Sequence, residues 1–177
     1  MKIKKFLREQ IHDACDRVAA EINRHYAFIS QQNLEPLRII GILKGGLPFF
    51  LDITRRLKVP VVWDFVEVSS YGKQMESSME VKFLKKPSEC VNEKHVLLLD
   101  DVMDSGLTHY FLLDWMRQHG AASVKVGVCV DKKARRQWDV TPDFTGFLME
   151  DEGFLFGYGM DLEGKCRELY DIWSVNL

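Results

Sequence analysis

The sequence predicts an α/β fold, a doubly wound parallel sheet with a small hood over its carboxyl edge. Three observations carry this. Apolar runs at 38–43, 59–68, 96–99 and 123–130 have the length and near-continuous hydrophobicity of strands buried on both faces. Helical patterns separate several of them, at 47–57 and 107–119, and this alternation builds parallel sheets. After Arg136 the alternation breaks into short segments punctuated by Gly146, Gly153, Gly157 and Gly159, which predicts the hood.

Taken in order, 3–26 places Leu7, Ile11, Cys15, Val18 and Ile22 on one face, as an amphipathic helix does. Residues 31–36 are a polar break before the first short buried strand. Lys44-Gly45-Gly46 is a turn, and helix resumes over 47–57 with Pro48 in its first turn. The strand at 59–68 is rich in valine and aromatics. Residues 69–79 are polar and read as a long mobile loop, with a returning strand at 81–84 and a connection over 85–93. The central strand at 96–99 leads to a helix at 107–119, closed by Gly120. Another strand covers 123–130, 131–136 is a charged connection, and 169–175 is the last strand. No repeat, low-complexity tract or linker divides the chain, so 1–177 is expected to be a single domain.

Composition excludes several classes. A net charge of -2 gives no global attraction to nucleic acid or to an anionic membrane. Cys15, Cys90, Cys129 and Cys166 form no C-x-x-C pair, so neither a zinc site nor a disulfide framework is expected. The N-terminus reaches Arg8, Glu9 and Asp13 without an apolar segment of the signal-peptide kind, and no apolar run has membrane-spanning length. A reducing, cytoplasmic location is the expectation.

The chemistry concentrates in 96–108, Val-Leu-Leu-Leu-Asp-Asp-Val-Met-Asp-Ser-Gly-Leu-Thr. Asp100 and Asp101 stand at the carboxyl end of a buried strand, where open α/β sheets bind ligands. Asp104 to Thr108 supply N–H groups and hydroxyls at a helix N-terminus, a ready phosphate cradle. A plain strand-to-helix turn with an Asp cap explains one carboxylate, not three. Carboxylates beside a phosphate cradle suit a ligand with both sugar hydroxyls and a phosphate.

This string resembles the phosphoribosyl-diphosphate (PRPP) signature of the type I phosphoribosyltransferases. Four more segments resemble the hypoxanthine-guanine branch of that family: Gly41-Ile42-Leu43-Lys44-Gly45-Gly46, Ser69-Ser70-Tyr71-Gly72, Asp131-Lys132-Lys133, and Phe154 to Asp161 followed by Arg167-Glu168-Leu169. The resemblance implies that Lys44 and Gly45 bind the diphosphate, with a non-proline cis peptide at Leu43–Lys44. It implies that Ser70 and Tyr71, on a loop that closes over the reactants, meet the diphosphate together with Arg167. Asp100 and Asp101 would hold the ribose hydroxyls, and Ser105, Gly106, Leu107 and Thr108 the 5′-phosphate. Lys132 would bond the purine 6-oxo group, an ammonium having donors and no acceptor. Phe154 would stack on the base, Leu155 would read its edge through backbone groups, and Asp161 would be a base-side or metal carboxylate. Asp104 would be the general base. Lys133, Arg135 and Arg136 read as a solvated charge run. Two departures from the family are Asp100, where glutamate is usual, and a segment from Leu148 to Phe154 that is one residue longer, with Gly153 the extra one.

The implied activity is purine salvage. Ribose 5-phosphate passes from PRPP to N9 of hypoxanthine or guanine, giving a nucleotide monophosphate and diphosphate. Mg2+ would be the cofactor, with Asp100, Asp101 and Asp161 as its ligands. The implied assembly is a homodimer or homotetramer, without nucleic-acid or membrane partners. The alternatives are a xanthine- or pyrimidine-using transferase, a nucleotide-binding regulator on the same fold and, least favoured, a phospho-acceptor domain.

Overall fold

The structure, a computed structural model, describes residues 2–32, 35–71 and 80–176. The elements in chain order are β1 (Lys2–Phe6), α1 (Arg8–His25), α2 (Ala27–Gln31), β2 (Leu37–Leu43), α3 (Leu47–Thr54), β3 (Val61–Tyr71), β4 (Glu80–Lys85), β5 (His95–Met103), α4 (Leu107–Gln118), β6 (Ser123–Lys132), a 3-10 turn (Lys133–Arg135), β7 (Phe144–Met149), β8 (Phe154–Phe156) and β9 (Ile172–Val175).

The apolar runs become the interior of a six-stranded sheet of order β4-β3-β2-β5-β6-β7. All its pairings are parallel except β3 with β4. The interior strands are covered on both faces, which is why their sequences are continuously apolar. On one face, Ile11, Cys15, Val18 and Ile22 of α1 pack with Phe49, Phe50 and Ile53 of α3 over Ile39, Leu97 and Leu99. On the other, Leu112, Leu113 and Met116 of α4 cover Ile40, Ile42, Leu98 and Val126. The crossovers therefore leave β2 and β5 toward opposite faces. Their carboxyl ends flank the point where strand order reverses, the place where such sheets open a crevice.

The hood is a second sheet, β1-β9-β8, antiparallel throughout. Its first strand corrects the expectation of helix from residue 3. Lys2–Phe6 pairs with β9, and the chain enters α1 at Leu7, whose N–H donates to Gln10 Oε1 at 2.8 Å. Leu7 is therefore a capping residue, 43% exposed, and not part of the buried helical face. Other boundaries move: α3 ends at Thr54 and not at 57, and β5 runs on to Met103. Residues 69–71 continue β3 as strand, because Ser69, Ser70 and Tyr71 pair with Lys82, Val81 and Glu80; 72–79, the rest of the expected loop, lie outside the described residues. β6 extends through Asp131 and Lys132, so the first two residues of the charged connection are sheet. β7, not foreseen, adds the edge strand beyond it. The last strand begins at Ile172, with Leu169 in turns before it.

Candidate active site

Two chain turns meet at the switch point. The first follows β2. Its Leu43–Lys44 peptide is cis, as the resemblance implied, and Gly45 lies directly on the acidic pair. A Cβ on Gly45 would fall 1.9 Å from Asp101 Oδ2, so only glycine permits this approach.

The second turn follows β5, which runs on as strand through the acids to Met103. Asp100 is buried; its Oδ1 accepts from the Asp101 N–H at 2.9 Å, and Asp101 Oδ1 accepts from the Val102 N–H at 2.8 Å. Burial pushes the Asp100 carboxyl up to about 6, against the hydrogen bonds from Asp101 that oppose it. Asp101 is raised too, by burial and by the neighbouring Asp100 charge. The buried His109 of α4 brings Nε2 to 3.1 Å from Asp100 Oδ2, outside hydrogen-bond alignment. Burial lowers its imidazole to about 4, so it stands neutral beside the pair.

α4 begins at Gly106, whose φ of +87° only glycine adopts freely. Beside this turn is a cavity of about 110 Å³ walled by Asp100, Asp104, Ser105, Gly106, Thr108 and His109. The Leu107 side chain is buried, and its N–H reaches Ser105 Oγ at 3.4 Å; Leu107 itself is not among the residues that wall the cavity.

Around the acidic turn, a second cavity of about 200 Å³ brings together Asp101, Asp104, Lys132, Phe154, Leu155 and Asp161. The buried Lys132 Nζ donates to the Gly153 carbonyl at 3.0 Å and lies 3.9 Å from Asp104 Oδ2. Gly153 thus supplies an acceptor for Lys132, and Phe154, 39% exposed, stands on the cavity wall. Among the described residues no donor meets Asp104 Oδ1, which is buried. Asp161 Oδ1 pairs with Arg167 Nη2 at 2.7 Å, and Arg167 Nη1 donates to the Gly159 carbonyl at 2.7 Å.

Some expected residues stand outside these two cavities. Lys44 is exposed, with Nζ 3.9 Å from Glu67 Oε1. Arg167 lines a separate cavity of about 370 Å³ between α1, α3 and the hood. The backbone of Ser70 and Tyr71 ends β3, and their side chains are outside what the structure describes. The charge run needs correction. Lys133 is exposed as expected, but Arg135 Nη1 lies 3.6 Å from Asp104 Oδ2. Arg136 is mostly buried: its guanidinium donates to the carbonyls of Asp104 (2.9 Å), Met103 (3.2 Å) and Val140 and pairs with Asp131. Sequence reasoning also missed His109 and Met160, which joins the wall of the larger site. For His109 the signal was present, an imidazole inside the first turn of the helix that follows the acids.

The described residues contain no helix long and apolar enough to cross a membrane. Comparison with known proteins agrees with this geometry. The chain is 37% identical over 161 residues to the hypoxanthine-guanine phosphoribosyltransferase of Bacillus subtilis (strain 168), covering 91% of this chain and 86% of that protein. With the enzyme of the same name from Aquifex aeolicus (strain VF5) it shares 37% identity over 175 residues, 98% of this chain and 95% of the relative. The crystal structure of a hypoxanthine-guanine phosphoribosyltransferase from Bacillus anthracis superposes with a TM-score of 0.86 at 35% identity, covering 99% of each chain. The family model of the phosphoribosyl transferase domain matches residues 7–163, so the chain belongs to the phosphoribosyl transferase family.

Proposed function

We propose that this chain is a purine-salvage enzyme, a hypoxanthine-guanine phosphoribosyltransferase, which moves the 5-phosphoribosyl group of PRPP to N9 of hypoxanthine or guanine and releases diphosphate. The observation that carries the reading is one cavity walled by Asp101, Asp104, Lys132, Phe154, Leu155 and Asp161, with a helix N-terminus beside it. A flat base, a hydroxylated sugar and a phosphate each find complementary chemistry there.

The 5′-phosphate is held by the N–H groups and hydroxyls of residues 104–108, where the α4 dipole favours an anion. The base stacks on Phe154. Lys132 Nζ, one donor already on Gly153, gives another to the purine O6, and the Leu155 backbone reads the base edge. As the N9–C1′ bond forms, the bond from C1′ to the diphosphate oxygen breaks, and the proton at the N7 edge passes to Asp104. Diphosphate leaves toward Gly45, with Lys44, Arg167, Ser70 and Tyr71 as its partners.

The acidic residues fit Mg2+. Asp100 and Asp101 are adjacent carboxyls whose ionisation burial and mutual repulsion oppose, which a cation would relieve, and Asp161 faces the same cavity as Asp101. Mg2+ is commonly held by one or two carboxylates, waters and substrate phosphates, the donor set that these carboxylates and PRPP would supply. When bound, the ion offsets the leaving-group charge. A single domain over 1–177, a cytoplasmic location and a homodimer or homotetramer complete the reading.

The test is nucleotide formation from PRPP and Mg2+ with hypoxanthine, guanine, xanthine, adenine and uracil offered separately. Turnover with hypoxanthine or guanine, and none with adenine or uracil, is expected; turnover with adenine equal to that with hypoxanthine contradicts the Lys132 assignment. Folded protein that binds PRPP yet turns over none of the bases points to the regulator alternative.

Two variants probe the pocket walls. Lys132→Ala is expected to raise KM for the 6-oxopurine about tenfold, the worth of one charged hydrogen bond, with the KM for PRPP within about twofold of wild type. An equal rise for PRPP would place Lys132 in the other pocket. Gly45→Ala drives a methyl group onto Asp101 and is expected to lower kcat/KM for PRPP about 100-fold, as a misplacement on the scale of an ångström does. A value within threefold of wild type would show that the contact does not bear on the reaction.

A further inference from the structure

We propose that Arg136 is the positioning residue of the phosphate cradle, orienting the N–H groups of Asp104 and Ser105 by gripping the carbonyls on their far side, while the backbone just after it holds the third carbonyl. The proposal rests on the reading of 104–108 as the cradle. In a trans peptide the carbonyl of one residue and the N–H of the next point in opposite directions. Three consecutive carbonyls of the cradle turn are held from the same segment. Met103 O accepts from Arg136 Nη2 at 3.2 Å, Asp104 O accepts from Arg136 Nε at 2.9 Å, and Ser105 O accepts from the Gln137 and Trp138 N–H groups, each at 3.0 Å. Holding those carbonyls turns the N–H groups of Asp104, Ser105 and Gly106 the other way.

The guanidinium is itself braced. It pairs with the buried carboxylate of Asp131, at the end of β6, and donates to the Val140 carbonyl. Its stem lies under the first residue of the helix, since a Cβ on Gly106 would fall 3.0 Å from Arg136 Cδ. A planar fork of five donors can meet several acceptors in fixed geometry, which an ammonium on a flexible stem cannot. Arg136 therefore ties Asp131, one residue before the base-side Lys132, to the turn that holds the sugar phosphate.

The test compares binding of inosine 5′-monophosphate and inosine by calorimetry, ligands that differ only in the phosphate. In the Arg136→Lys protein the monophosphate is expected to bind at least about tenfold more weakly, with inosine within about twofold of wild type. Loss of both ligands alike would mean a merely structural role, and monophosphate affinity within threefold of wild type would mean no role; either overturns the proposal. Asp131→Asn loosens the same guanidinium without touching it. It carries the comparison if the lysine variant does not fold, with an expected loss of about tenfold for the monophosphate alone, the worth of one charged hydrogen bond, and the same threefold threshold for no role. Wild-type protein that binds the monophosphate no tighter than inosine overturns the cradle reading itself, and that failure appears before any substitution is made.

Discussion

Asp104→Asn is expected to lower kcat about 10²- to 10⁴-fold, the range that a positioned general base supplies, and to leave the KM for PRPP within about threefold. The side chain has the geometry for this. The carboxylate lines the base-side cavity, with Oδ2 3.9 Å from Lys132 Nζ and 3.6 Å from Arg135 Nη1, while the buried Oδ1 has no donor among the described residues. The amide is nearly isosteric, so the turn and its N–H groups remain while the proton acceptor is lost. Steady-state kinetics with each substrate varied in turn separate the two parameters. Near wild-type turnover would remove Asp104 from the chemistry.

The second large effect is expected at Asp100, where function and stability oppose each other. Its carboxyl, ordinarily near 3.8, is pushed by burial to about 6 in the folded chain. Below about pH 4 both folded and unfolded chains hold the proton and the group costs nothing. As pH rises to 6 the unfolded chain releases its proton first, so stability falls; above 6 the fold carries a buried anion and the full cost remains. The displacement from 3.8 to about 6 corresponds to about 3 kcal/mol. Asp100→Asn is therefore expected to raise Tm by about 6–12 °C at pH 8, with each kcal/mol moving Tm about 2–4 °C in a domain of this size. The gain should shrink as pH falls from 6 toward 4. Turnover with PRPP and Mg2+ should drop at the same time. Melting scans from pH 4 to 8 check the sign; a variant less stable than wild type at pH 8 would show that the pair stabilises the ligand-free fold.

The sequence was most informative where local pattern and burial coincide. The apolar run before Asp100 is buried on both faces, so its composition alone marks it as a central strand, and the acids, Gly106 and Thr108 follow in the order that the strand-to-helix turn needs. Lys132, Phe154, Leu155 and Asp161 were found by resemblance, and the fold brings them to one cavity with Asp101 and Asp104. What escaped depends on partners distant in sequence. β1 was hidden because Ile3, Leu7 and Ile11 keep helical spacing across a boundary that only pairing with β9 creates. β7 was hidden by Gly146 in an edge strand recognisable from its register with β6. Arg136 looked like its exposed neighbour Lys133, because composition reports a charge and not the carbonyls that surround it. For His109 the sequence shows an imidazole in the first turn after the acids, but its depth beside Asp100 follows from the packing of α4 on the sheet.

The central claim is that the cradle, the acidic pair and the base cavity together perform one transfer. The most direct measurement incubates the protein with PRPP, hypoxanthine and Mg2+ and follows inosine 5′-monophosphate and diphosphate together. The account predicts the two products in equal amounts, none without either substrate, and a large loss of both in Asp104→Asn. Diphosphate appearing without nucleotide, or no reaction from folded protein that binds PRPP, would contradict it.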